Sequence, residues 1–118
     1  MKHQHSFYSY QYLFKISSTS PAFIKKMIAL FLNSLAEYIN ELEQQIIEQQ
    51  ITDLHKIIHK LKPSVLSLEV KDAKSQLAVI DAATVWTPQV QESVERLLQT
   101  FKTIQPMMQE DLEEMKDE

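Results

Sequence analysis

The stretch "SPAFIKKMIALFLNSLAEYINELEQQII", residues 20–47, decides the fold class of this chain. Its apolar side chains recur every three or four residues, which places them on one stripe of an α-helix about 28 residues long. The stripe comprises Ile24, Ile28, Phe31, Leu35, Tyr38, Leu42 and Ile46. Ser20 and Pro21 are an N-cap and a first-turn residue typical of a helix start. Such a helix must bury its stripe against other elements.

A second stripe of the same kind lies nearer the C-terminal end, after Thr87 and Pro88. Its apolar residues are Val90, Val94, Leu97, Phe101, Ile104, Met108 and Met115. Two shorter helices are predicted between the long ones. One spans residues 53–68 with Thr52 as its N-cap, and the other is centred on residues 73–80.

The two ends of the chain differ in character. The N-terminal stretch "YSYQYLFKI", residues 8–16, is mostly aromatic and apolar, and it predicts a short extra helix. The C-terminal stretch "EDLEEMKDE", residues 110–118, is strongly acidic, which is typical of a solvated helix end that frays.

Glycine is absent from the whole sequence. Tight hairpin turns and bulges most often require glycine, whereas helices lose nothing without it. We therefore predict an all-α protein. Four main helices with short connections bury their stripes most economically as an antiparallel, up-down four-helix bundle, preceded here by the short N-terminal helix. We expect a single domain over residues 1–118, with the bundle core in 17–118 and an N-terminal segment in 1–16.

Composition limits the function classes. The 118 residues are 44% hydrophobic and 24% charged, with a net charge of -4 and no cysteine. These values predict a globular, cytoplasmic protein without disulfides, and the negative charge argues against a nucleic-acid partner. No apolar run is long enough to cross a bilayer, so we expect no membrane partner. A monomer is the default, and the Met1 start favours a stand-alone module over a piece of a larger protein.

The stretch "HKLKP", residues 59–63, begins with a histidine whose direction follows from helix geometry. At about 100° per residue, the apolar side chains of the predicted helix lie within roughly 60° of Leu54. They are Leu54, Ile57, Ile58, Leu61, Val65 and Leu68. His59 lies about 140° from that direction, and His55 and Lys62 lie on the same flank. We therefore expect His59 to project into solvent.

Several roles for His59 remain open at this point. The helical geometry disfavours a core histidine, while a surface histidine without a role stays possible. His55 and His59 stand at i and i+4, the spacing of a zinc-binding helix, and His3 and His5 could join them. Three lysines share that flank: Lys56, Lys60 and Lys62. Their positive charge opposes a metal dication and favours an anion such as a phosphoryl group, so we expect no metal site.

The stretch "IIHKLKPSVLSL", preceded by "SSTSPAFIKKMIALFLNSLAEYINELEQQI", resembles the histidine-containing phosphotransfer (HPt) domain family. The family pattern is a histidine, a hydrophobic residue, Lys, usually Gly, and a small residue. The resemblance covers most of the chain, from "YLFKIS" to the histidine helix. It implies a four-helix bundle that displays the histidine on its surface, where the phosphoaspartate of a receiver domain reaches it.

The resemblance assigns roles to particular residues. His59 matches the phosphoacceptor, Lys62 the lysine that hydrogen-bonds the phosphoryl group, and Ser64 the small polar position. The implied function is a phosphorelay carrier with no kinase activity and no cofactor of its own, whose partners are response-regulator receivers or a hybrid histidine kinase. The receiver would supply the divalent metal, because no cluster of carboxylates lies near His59 in the sequence.

The chain departs from the family pattern at Pro63, where glycine is usual, and at Leu66 and Glu69, where small residues are common. Proline removes an N–H and tends to bend a helix, which exposes His59 further or misdirects it. A degenerate, HPt-like adaptor that is not phosphorylated is therefore the alternative function.

A receiver would need an apolar docking surface beside the histidine. The candidate residues for this surface are Pro63, Ser64, Leu66, His55, Lys60 and Met27. Phe23, Met27 and Leu30 form a second apolar set on the first long helix. We expect this set mainly to bury the N-terminal segment, and to contribute to docking in part.

Overall fold

A computed structural model of the protein describes residues 7–16 and 20–115, which fold into five α-helices. The helices are α1 Gln11–Ile16, α2 Pro21–Glu48, α3 Ile51–Ser67, α4 Ala73–Ala82 and α5 Pro88–Glu114. No β-strand occurs in the described ranges. The prediction of an all-α protein is confirmed for this part of the chain, as are the four main helices and the short N-terminal helix.

The two long helices begin where their N-cap residues predict. Ser20 Oγ accepts a hydrogen bond from the Phe23 N–H at 3.3 Å, and Thr87 Oγ1 accepts one from the Val90 N–H at 3.1 Å. In both helices a proline follows the cap, where its missing N–H costs nothing.

The start of α3 differs from the prediction. Gln50, not Thr52, is the N-cap, and its side chain makes no capping hydrogen bond. Only residues 49–50 connect α2 to α3, so the chain must turn within them. Gln49 adopts a left-handed conformation with φ 55°, and the Gln50 N–H donates to the side-chain oxygen of buried Gln45 at 3.1 Å. The prediction of Thr52 was wrong because this tight turn overrides the local capping preference.

The four longer helices contact one another in a closed ring. α2 packs against α3 and α5, and α4 packs against the same two helices. All the predicted stripe residues of α3 and α5 are buried, including the C-cap residues Leu68 and Met115. The stripe residues of α2 are buried too, except Ile46, which is half-buried. The apolar side chains of all five helices join one hydrophobic core.

The N-terminal segment belongs to this core. Tyr8, Tyr10 and Leu13 are 2%, 0% and 2% exposed. Two backbone hydrogen bonds attach the segment to the connection between α3 and α4: the Ser9 N–H donates to the Leu68 carbonyl at 2.9 Å, and the Lys71 N–H donates to the Phe7 carbonyl at 2.7 Å. The segment is therefore fixed on both sides of Tyr8, the first of its two buried tyrosines.

The C-terminal half of α5 corrects a second prediction. Asp111 and Met115 are 0% and 5% exposed, so residues 110–115 do not form a solvated, fraying end. The Asp111 carboxylate accepts hydrogen bonds from the hydroxyls of Tyr8 and Tyr10, which gives a buried acid a structural role. Residues 116–118 of the predicted acidic end lie outside the described residues.

Across residues 7–16 and 20–115, every helix is too short or too polar to cross a lipid bilayer.

Candidate functional site

His59 lies on the outer surface of α3, and its side chain is exposed. Ile58 and Leu61, on either side of it in sequence, are both 0% exposed and point into the core. The direction predicted from helix geometry is therefore confirmed. The exposed position excludes the core-histidine interpretation and leaves the imidazole open to a macromolecular partner.

Each of two lysines near His59 is held by a carboxylate from a neighbouring helix. Lys62 Nζ lies 2.8 Å from Asp81 Oδ2 of α4. Lys60 Nζ lies 2.8 and 2.9 Å from the two carboxylate oxygens of Glu41 on α2. The hydrogen bond that Lys60 donates to Glu41 raises the pKa of Lys60. Both ammonium groups are thus neutralised locally, and α3 is connected to α2 on one side and to α4 on the other.

Lys60 makes one more contact that Lys62 does not share. Its Nζ lies 5.8 Å from the centroid of the Tyr38 ring, within the range of a cation–π interaction. Together with the two-point contact to Glu41, this holds Lys60 toward α2. Among the described residues, Lys62 Nζ contacts a single carboxylate oxygen, Asp81 Oδ2, so Lys62 is the less constrained of the two lysines.

His55 connects α3 to the backbone of α4. Its Nε2 lies 2.9 Å from the Ile80 carbonyl oxygen. Because a carbonyl oxygen can only accept, Nε2 must carry the proton of this hydrogen bond. The Nε2 atom of His55 is therefore engaged in a structural contact.

The described residues contain no group of three or more acidic or histidine side chains arranged to hold a metal ion. His3 and His5, the other histidines considered for a zinc site, lie outside the described residues. With the Nε2 atom of His55 bound to a carbonyl, Nδ1 is the ring nitrogen of His55 left for any other contact.

Pro63 lies inside α3, one turn after His59, and its side chain is exposed. A proline has no N–H, so Pro63 cannot donate the usual helix hydrogen bond to the His59 carbonyl. The next turn is supported by Ser67, whose hydroxyl donates to the Pro63 carbonyl at 2.8 Å. The helix continues to Ser67, so the proline does not end it.

A groove of about 300 Å³ lies between α2 and α3, next to this turn. We call it the α2–α3 groove. Its walls include Met27, Leu30 and Ser34 of α2 and Pro63, Ser64 and Ser67 of α3. Leu13 of α1 also lines it, and Leu30 is 51% exposed. The groove is therefore partly apolar, open at the surface, and adjacent in sequence to the histidine turn.

The structure brings together some of the predicted docking residues. Met27, Pro63 and Ser64 share the α2–α3 groove, whereas His55 and Lys60 are occupied with contacts to neighbouring helices. Leu66 is 40% exposed but does not line the groove. Seven residues separate it from His59, so it shares the flank of the histidine.

The N-terminal segment covers the second apolar set of α2 only in part. Leu13 of the N-terminal segment meets Met27 and Leu30 in the groove, but Phe23 and Leu30 remain 36% and 51% exposed. The expectation that this set is mainly buried by the N-terminal segment is therefore wrong for Phe23 and Leu30. Helix α1 is only six residues long, too short to cover the whole face.

Sequence reasoning missed the acidic partners Asp81 and Glu41. Glu41 is one of four acidic residues of α2, whereas Asp81 is the single acidic residue of α4. Their signal was weak in both cases, because pairing them with particular lysines needs the relative rotation of the helices. A larger cavity of about 810 Å³ lies elsewhere, between the start of α2 and the end of α5, and no α3 residue lines it.

Comparisons with known proteins identify no relative of this chain: no protein-family model matches it, and neither a curated protein nor a solved structure does so.

Proposed function

We propose that the protein is a histidine phosphotransfer carrier of a two-component phosphorelay, resembling the HPt family. His59 would accept a phosphoryl group from the phosphoaspartate of a receiver domain and pass it to another receiver. The observation that carries the proposal is an exposed imidazole on α3 with a lysine one turn further on, next to a partly apolar groove. An exposed nucleophile is what a reaction between two proteins requires.

The proposed chemistry needs little from this chain. A neutral imidazole nitrogen of His59 attacks phosphorus in line with the aspartyl oxygen, so an N–P bond forms as the P–O bond breaks. The electron pair of the broken bond leaves on the aspartyl oxygen, which becomes a carboxylate. Lys62 places a positive charge near the transferred phosphoryl oxygens. A divalent cation, where the reaction uses one, would be held by the receiver.

The proposal includes the arrangement of the scaffold. We propose that α2 to α5 form an antiparallel, up-down four-helix bundle within a single domain. The closed ring of helix contacts supports this arrangement, as do the connections between successive helices, residues 49–50, 68–72 and 83–87. Connections this short favour antiparallel neighbours. We further propose that the carrier acts as a monomer in the cytoplasm.

The α2–α3 groove is the proposed docking surface for the receiver. It combines the exposed apolar side chain of Leu30 with the hydroxyls of Ser64 and Ser67, and Pro63 places it one turn from His59. A small apolar centre with polar edges is typical of a transient protein interface.

One experiment tests the proposed reaction. A panel of receiver domains, charged with radiolabelled acetyl phosphate, is incubated with the protein and the label is followed. We expect acid-labile, alkali-stable label on the wild type and none on His59→Ala. His55→Gln, which keeps a hydrogen-bond donor for the Ile80 carbonyl, is the matched control and should be labelled normally. Label that persists in His59→Ala would contradict the proposal.

The groove also supports a second candidate, an HPt-like adaptor that binds a partner without being phosphorylated. Pro63 at the usual glycine position and the pairing of Lys62 with Asp81 favour this alternative. It predicts that the protein binds a receiver with the same affinity whether residue 59 is histidine or alanine, and that no label appears on either.

A further inference from the structure

The ion pair between Lys62 and Asp81 has a consequence for the proposed reaction that the HPt resemblance does not contain. The Lys62 ammonium lies 2.8 Å from Asp81 Oδ2, and both side chains are partly exposed, at 42% and 36%. An ion pair at the surface is weak and can be exchanged for a stronger partner. Lys62 is also three residues after His59, so both side chains face the same flank of α3.

We propose that Asp81 competes with a phosphoryl group on His59 for the ammonium of Lys62, and thereby makes phospho-His59 a better phosphoryl donor. The inference rests on the proposed function. Asp81 is a positioning residue in this scheme, because it acts through Lys62 and does not touch the reacting atoms.

The charges explain the direction of the effect. Before transfer, one carboxylate neutralises one ammonium. A phosphoryl group on His59 brings up to two negative charges and takes the ammonium from the carboxylate, because the attraction grows with charge. Asp81 then loses the ammonium that neutralises it. This unfavourable arrangement exists only in the phosphorylated state, so it raises the free energy of phospho-His59 relative to the free histidine.

The position of Asp81 is fixed by the neighbouring residue. The Ile80 carbonyl accepts the hydrogen bond of His55 Nε2 at 2.9 Å, and Asp81 follows directly in α4. His55 and Lys62 therefore hold the same stretch of α4 against α3 at two points. The carboxylate stays within reach of Lys62 instead of moving away into solvent.

Glu41 provides a natural comparison on the other side of α3. It holds Lys60 at 2.8 Å with similar exposure, 36% for Glu41 and 51% for Lys60. Lys60 follows His59 directly and so points about 100° away around the helix. Loss of the Glu41 carboxylate should therefore change the stability of phospho-His59 much less than loss of the Asp81 carboxylate.

Two measurements on the full chain test the inference. In the first, His59 is charged with phosphoramidate, without any receiver, and the loss of phosphohistidine is followed by phosphorus NMR. In the second, the equilibrium distribution of label between His59 and a receiver is determined. Asp81→Asn should lengthen the lifetime of phospho-His59 and shift the distribution toward it by roughly two- to fivefold, the range of one surface ion pair. Asp81→Glu, which keeps the carboxylate, should stay close to wild type, and so should Glu41→Gln.

The dependence on Lys62 separates competition from a merely structural role. In a Lys62→Ala background, Asp81→Asn should have little further effect. The inference would be overturned if Asp81→Asn had an equal effect in both backgrounds, or no effect in either. It would also be overturned if Asp81→Glu changed the lifetime as much as Asp81→Asn.

Failure of the inference can be told from failure of the relay function. If receivers label wild type but Asp81→Asn is unchanged, the inference alone fails. If only phosphoramidate labels His59, the relay function fails, but the lifetimes of phospho-His59 still decide the role of Asp81. If neither phosphoramidate nor a receiver labels His59, the relay function and the inference both fail.

Discussion

Tyr10 donates its phenolic hydroxyl to Asp111 Oδ2 at 2.7 Å, and this contact joins residues 101 positions apart. Tyr8 donates to the same oxygen, and the two rings lie 5.4 Å apart. All three side chains are almost completely buried, and Asp111 Oδ1 has no hydrogen-bond partner within residues 7–16 and 20–115. The N-terminal segment is thus attached to the end of α5 by a polar contact inside the core, where each unmade hydrogen bond costs most.

This contact predicts a loss of stability at alkaline pH. Burial, and then the hydrogen bond to Asp111, raise the pKa of Tyr10 above its ordinary value, and the same causes raise the pKa of Tyr8. Tyrosines of the unfolded chain ionise above about pH 10 while the buried ones stay protonated. The folded state then binds more protons, so its stability falls with rising pH by up to about 1.4 kcal/mol per pH unit for each tyrosine. Urea unfolding between pH 8 and pH 11 measures this slope.

Tyr10→Phe should make the slope shallower, because one of the two ionising groups is gone. The same variant should lower the free energy of unfolding at pH 7 by about 1 kcal/mol, the worth of a buried hydrogen bond. Tyr12, which is 45% exposed, supplies the control: Tyr12→Phe should change neither quantity. Equal slopes for wild type and Tyr10→Phe would show that Tyr10 does not cause the alkaline loss.

The role assigned to Lys62 predicts that its removal slows phosphoryl transfer but leaves the protein stable. Lys62→Ala should reduce the rate of transfer to His59 by about tenfold or more, because a charge-assisted hydrogen bond is worth about 1.5–3 kcal/mol. The free energy of unfolding should fall by no more than about 1 kcal/mol, since the pair with Asp81 lies at the surface. Rapid-quench transfer kinetics and urea unfolding give the two numbers.

Lys60→Ala is the matched control for this prediction. Lys60 also pairs with a carboxylate across a helix boundary, and its side chain is 51% exposed, against 42% for Lys62. It should lose a similar amount of stability but transfer at nearly the wild-type rate. If the two variants are slowed equally, the lysines act as general positive charge and Lys62 has no special position.

Leu61 and His59, two positions apart in α3, should differ strongly in their response to truncation. Leu61 is 0% exposed, and Leu61→Ala should lower the free energy of unfolding by about 2–5 kcal/mol. His59→Ala removes an exposed side chain and should change it by less than about 0.5 kcal/mol. Urea denaturation of both variants measures the difference. A large loss in His59→Ala would mean that the imidazole supports the fold, which would count against its role as a free nucleophile.

Periodicity predicted most of the fold because each amphipathic helix must bury its own apolar stripe. The apolar stripe of α5 also indicates a buried position among the acidic residues near its C-terminal end. Asp111 stands three residues after Met108 and four before Met115, so helix geometry puts it on the buried face of α5. Its acidic neighbours suggested solvent instead. Gln45 is a similar case, three residues after the buried Leu42.

The contacts around His59 could be predicted only in part. The exposure of the imidazole depends on one helix alone, and the sequence of that helix is sufficient to predict it. The pairs of Lys62 with Asp81 and Lys60 with Glu41 depend on how three helices are rotated and shifted against one another. Many sequences with the same stripes would bury the same core while bringing different charges together, so periodicity does not determine these pairs.

A charge at the edge of the α2–α3 groove should weaken binding of a receiver domain. Leu30 is 51% exposed at the edge of the α2–α3 groove, so Leu30→Glu should place a charge on the docking surface without disturbing the core. Desolvating that charge should weaken binding of a receiver domain by about tenfold, or about 1.4 kcal/mol. Isothermal titration calorimetry measures the dissociation constant. The control is Ile47→Glu, on an exposed residue about 26 Å further along α2, which should bind like wild type. Unchanged binding of Leu30→Glu, or equal weakening in both variants, would place the receiver elsewhere on the surface.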